Sequence, residues 1–161
     1  MIVGIGVVWT PGVAPNAVSS AKVGSLLESW KGVPYVRNGR DRAGVDCVGF
    51  ATAFLAELGG VAYTHPVGTT SLDPNVLREA MRALHLRFVD GWACEPGDVL
   101  VLRSYQTPEC HVGIAGVEPW TMWSAVDGHG VVCTPFRAFS DIVRCRHILR
   151  WDGQKERPCT A

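Results

Sequence analysis

The chain has 161 residues, 47% of them hydrophobic, with 15 basic and 15 acidic side chains and a formal net charge of zero. That length and apolar content suit one domain with a core of its own, needing neither metal nor disulfide to fold. The balanced charge, with no long block of one sign, argues against a nucleic-acid footprint or a polybasic membrane surface.

Residues 1–17 read as an arm. Met1–Trp9 is apolar but has no Lys or Arg ahead of it, and Pro11 follows at once. A secretory signal needs a positive n-region, and a membrane helix needs about 20 apolar residues. Neither is met, so a strand or a segment docking on a partner is expected. With no signal peptide, the protein is expected to be made in the cytoplasm.

Val23, Leu26, Leu27 and Trp30 fall at helical spacing behind Ser19 or Ser20, either of which can cap a helix that Lys31-Gly32-Val33-Pro34 stops. A loop through Tyr35 and Gly39 leads to a second helix, apolar from Phe50 to Leu58 and closed at Gly59-Gly60. Residues 61–72 look irregular. Asp73-Pro74-Asn75 then opens a third helix, Val76 to Leu84. From Gly97 onward the pattern changes to short strands at 98–103, 111–117, 121–126, 130–135 and 142–151. Helices first and strands second predict an α+β domain, with helices on one side of an antiparallel sheet. The core spans about 18–151, and the polar tail 152–161 is expected to be loose.

Six cysteines stand at 47, 94, 110, 133, 145 and 159. No CxxC is present, and the Cys/His neighbours 110/111, 129/133 and 145/147 do not repeat a zinc-site spacing. No metal or other cofactor is expected, and most of the thiols are expected to be buried small hydrophobes. Cys47 differs from the others. It sits where a glycine-punctuated loop, 39–44, gives way to the second helix. Unpaired N–H groups and a partial positive charge at a helix start favour a thiolate. His111, on an expected strand, supplies a base, and such Cys–His pairs can rest as an ion pair. Cys110 is a poor rival nucleophile, because strand neighbours point to opposite faces.

Four stretches in order resemble the NlpC/P60 family of papain-like cysteine peptidases: Gly32-Val33-Pro34-Tyr35-Val36-Arg37-Asn38-Gly39, Asp46-Cys47-Val48-Gly49-Phe50, Pro96-Gly97-Asp98-Val99-Leu100 and His111-Val112-Gly113-Ile114. The resemblance implies a papain-like α+β fold. It implies hydrolysis of amide bonds in the peptide stems of peptidoglycan, with Cys47 as nucleophile and His111 as base. The short chain looks most like the phage tail-associated branch, which implies tail proteins as partners and delivery to the wall from a virion.

The resemblance also implies that Tyr35 lines the site near the oxyanion. Asp46 adjoins the nucleophile and reads better as the cap of its helix. Val48 stands where the family has a serine beside the substrate, which removes a hydroxyl and adds an apolar wall. Asn38 replaces a glycine. The group that orients the imidazole falls on Ser124, with Asp127 and His129 as alternatives; Asp127 also suits a turn with Gly128. Ser124 can accept a hydrogen bond but cannot balance an imidazolium as a carboxylate would. Two other readings follow: a tail structural protein that keeps the fold without catalysis, and an amide-transfer enzyme with another substrate.

Overall fold

A computed structural model of the chain describes residues 8–9, 18–68, 74–90, 93–106, 110–138 and 143–152. The expected loose tail from Gly153 onward, Cys159, Asp73 and most of the N-terminal arm lie outside the described residues. Of the arm, Val8–Trp9 forms a short strand, β1, that pairs in parallel with β5 (Ala93–Cys94).

Helix α1 (Ser20–Trp30) starts where Ser19 Oγ accepts the Lys22 amide at 3.2 Å, and it buries Val23, Leu27 and Trp30. The serine satisfies one of the donors a helix start leaves unpaired. A small hairpin, β2 (Arg40–Asp41) and β3 (Gly44–Val45), leads into α2 (Cys47–Gly59). Phe50, Ala51, Phe54, Leu55 and Leu58 are all buried, so α2 is apolar around most of its circumference and runs through the core. Gly60, at φ 65°, closes it with an N–H that bonds the Ala56 and Glu57 carbonyls. This is the left-handed cap for which glycine carries no Cβ penalty. Helix α3 (Pro74–Ala83) begins two residues earlier than expected, on a proline that fits a first helical turn.

The main sheet has six strands in the order β4 (Leu86–Phe88), β10 (Val143–Trp151), β6 (Val99–Ser104), β7 (Cys110–Ala115), β8 (Thr121–Val126) and β9 (Gly130–Pro135). Every neighbouring pair is antiparallel. The α+β class and the five expected strands are present, while β4 and β5 are additions. Val101, Val112, Ile114, Trp123 and Ala125 pack with Leu27, Trp30, Phe50 and Phe54 from the helices. Leu100, Leu102, Ala115, Met122 and Ile148 form a second core with Phe136. The sheet is thus buried on both faces, which is why Val99–Leu102 is continuously apolar rather than alternating. Cys94 and Cys145 belong to this second core, but Cys133 is exposed on β9, contrary to expectation for that thiol.

Candidate active site

Cys47 is the first residue of α2, and the Asp46 carboxylate before it is the helix cap. Asp46 Oδ1 accepts the Gly49 amide at 2.7 Å, and Oδ2 accepts the Asn38 amide at 2.9 Å. Arg40 Nη1 donates to the same Oδ1 at 2.7 Å. Both oxygens thus hold the loop and the helix start together, as expected of a cap.

β6 and β7 pair continuously from Val99↔Ile114 to Arg103↔Cys110. β7 and β8 pair only at Ile114↔Trp123 and Ala115↔Met122, whereas β8 stays paired with β9 along its whole length. Pairing with β8 thus stops short of the start of β7, and α2 packs against both strands. The amides of Val112, Val48 and Cys47 itself favour the thiolate, which sets the start of β7 near the sulfur.

Burial pushes the Cys47 thiol above the usual 9.0, with Asp46 adding to the effect, and the three amides only partly offset it. Burial likewise holds the His111 imidazole below the usual 6.5. Both directions run against an ion pair of Cys47 with His111. The helix start does favour the anion, but removing both groups from water disfavours both charges more. Both shifts favour the neutral thiol and the neutral imidazole.

Tyr35 is half-buried in the entry loop, bridged to Val45. Its hydroxyl is pushed up by burial and then by the negative potential of Cys47, Asp46 and Asp127. Tyr35 thus sits close to the nucleophile and stays protonated, as an oxyanion donor must. The loop is tied to β9, with Gly32 donating to the Val131 carbonyl and Val131 to the Val33 carbonyl, both at 2.9 Å. That contact brings the β8–β9 turn, with Asp127, up to Tyr35. Asp127 and His129 are exposed in this turn, where Gly128 has φ 76°. Neither lies in the interior with His111.

Ser124 pairs with Val132 on β9, one residue beyond the last β7–β8 pair, Ile114↔Trp123. Alternation sets it on the face of Met122, opposite Trp123 and Ala125, which pack with the helices. A Cβ at Gly113 would stand 2.5 Å from Met122 Sδ and 2.9 Å from the Trp123 carbonyl, so glycine permits β8 to approach. Ser124 is fully buried, yet its Oγ makes no hydrogen bond to any described residue. A buried hydroxyl left so costs about 1–3 kcal/mol. Val48 is half-buried and, with Ala51, Leu77 and Val112, lines an apolar cavity of about 40 Å³ behind the nucleophile.

Sequence reasoning misses Arg40. Its guanidinium joins Asp46 to the carbonyls of Gly39, His65 and Pro66, at 2.8, 3.0 and 3.4 Å. The only available signal is an arginine six residues ahead of Asp46, in a loop that stands out for its glycines. Gly49 stands out in the sequence only as part of a motif. A Cβ there would collide with the Gly39 carbonyl oxygen, which also accepts from Arg40. Gly49→Ala is expected to cost about 1–3 kcal/mol, as overpacking does. A urea unfolding curve checks it; an unchanged midpoint would show that the loop yields.

A scan against protein-family models gives no match, and no curated protein matches the sequence. Among solved structures, the chain is similar to the NlpC/p60 domain of peptidoglycan hydrolase SagA, with a TM-score of 0.57 and 20% identity over 83% of this chain and 99% of that one. It is also similar to NlpC2 from Trichomonas vaginalis, with a TM-score of 0.58 and 19% identity over 80% of this chain and 45% of that one. The fold, with its helices against an antiparallel sheet, is that of the papain-like NlpC/P60 domains.

Proposed function

We propose that the chain is a cysteine peptidase or amidase acting on the peptide stems of bacterial cell walls. The observation that carries this reading is Cys47 as the first residue of α2, behind the Asp46 cap, in a fold shared with NlpC/P60 domains. The thiol proton passes to His111 as sulfur attacks the amide carbonyl. The Cys47 amide and the Tyr35 hydroxyl stand nearest for the oxyanion. His111 then protonates the leaving amine, and water hydrolyses the thioester. One structural neighbour is a domain of a peptidoglycan hydrolase, which supports the substrate class. A phage-tail setting, with tail proteins as partners and release at the wall, rests on the sequence resemblance alone.

Purified peptidoglycan incubated with the protein is expected to release amino-terminated peptides, and Cys47→Ala is expected to abolish the release. Two observations favour a second reading, a non-catalytic protein that keeps the fold: the raised thiol and a Ser124 Oγ that bonds no imidazole. No release by folded, reduced protein from walls of several cross-link types would decide for it.

A further inference from the structure

We infer that Arg40 is a positioning residue that fixes the Asp46 cap and neutralises the carboxylate beside the nucleophile, holding Cys47 at the start of α2. The inference rests on reading Cys47 as the nucleophile. Arg40 is nearly enclosed, with its side chain 9% exposed against 15% for Asp46. At such a site a charge left without its partner is costly. The guanidinium also bonds the Gly39, His65 and Pro66 carbonyls, tying the loop before α2 to the loop after it.

Asp46 disfavours the Cys47 thiolate. With Arg40 in place, that potential is damped by a cation on the same oxygen. The other charged and titratable groups around the nucleophile are His111 on β7, Tyr35 in the entry loop, and Arg37 and Asp127, which both act on Tyr35. Behind Arg40 lie His65 and Tyr63, and Glu79 of α3 acts on both. Among the described residues, Arg40 is the cation bonded to the carboxylate next to Cys47.

The test follows iodoacetamide alkylation of the Cys47 peptide against pH by mass spectrometry, which separates it from the exposed Cys133. Arg40→Met is expected to move the midpoint up and slow alkylation at neutral pH by about threefold or more. Arg40→Lys keeps the charge and is expected to restore most of the rate, although it loses carbonyl bonds. Asp46→Asn is expected to lower the midpoint, and Arg40→Met added to it is expected to have no further effect on it. A purely structural Arg40 would give Met and Lys variants with the native midpoint. That result, or an unmoved midpoint in Asp46→Asn should Arg40→Met fail to fold, overturns the inference. Alkylation needs no wall substrate, so absence of hydrolysis would sink the peptidase reading and leave this test standing.

Discussion

His111→Ala is expected to slow release of wall peptides by about 10²–10⁴-fold, the usual contribution of a positioned general base. The same variant separates two kinds of Cys–His site. In a resting ion pair, removing the imidazolium would raise the pH midpoint of Cys47 alkylation steeply. Here burial pushes the thiol up from 9.0 and the imidazole down from 6.5, which favours a neutral resting pair. The wild-type midpoint is therefore expected above 9.0, and His111→Ala is expected to leave it almost unchanged. Activity should hold between an acid limb below 6.5 and an alkaline limb above 9.0. The same shifts set the sign for stability. Below 6.5 the unfolded chain takes up the imidazole proton first, so these groups lower stability as pH falls. Above 9.0 the unfolded chain loses the thiol proton first, so stability drops as pH rises. A Cys47 that alkylates with a midpoint well below 9.0, lost in His111→Ala, would show that the ion pair forms after all.

The parts of this molecule legible in the sequence are those specified locally. Ser19 and Asp46 announce helix starts because a cap is decided within a few residues. Strands β6 to β9 follow from apolar runs between turns, and they fall within two residues of expectation. Leu86-Arg87-Phe88 and Ala93-Cys94 are not recognisable, because strands of three and two residues owe their existence to partners far along the chain. The site divides in the same way. Cys47 at a helix start can be read from its neighbours, but its titration depends on how deeply β7 and α2 bury it. Arg40 escapes notice because its clamp reaches a carbonyl 25 residues away. The early end of β7–β8 pairing is a property of the sheet and leaves no mark in either strand's own sequence.

Asp98→Ala is expected to destabilise the fold by about 3–5 kcal/mol, the cost of breaking a buried ion pair on one side. Asp98 is buried, and Arg150 reaches both its oxygens, from Nε at 2.8 Å and Nη2 at 2.7 Å. Arg150 also bonds Glu95 Oε1 at 2.8 Å and the Ala93 carbonyl at 3.0 Å, while Asp98 Oδ2 accepts the Glu95 amide at 2.7 Å. This cluster pins the Pro96-Gly97-Asp98 turn and β5 to β10. Burial nevertheless pushes the Asp98 carboxyl above its usual 3.8, outweighing the bonds from Arg150 and Glu95. The pair is therefore retained against a desolvation penalty, and acid should not unfold the protein through it. Asp98→Leu combined with Arg150→Met is then expected to lie much nearer the wild type than Asp98→Ala, because no charge is stranded. Urea unfolding of the three proteins measures both effects. Asp98 adjoins Val99, at the end of β6 paired with Ile114, whereas His111 pairs with Leu102 near the other end. Activity per folded molecule should accordingly survive the double replacement, since the cluster lies at the other end of β6 from His111. Loss of activity from a stably folded double variant would instead tie the cluster to the site through β6.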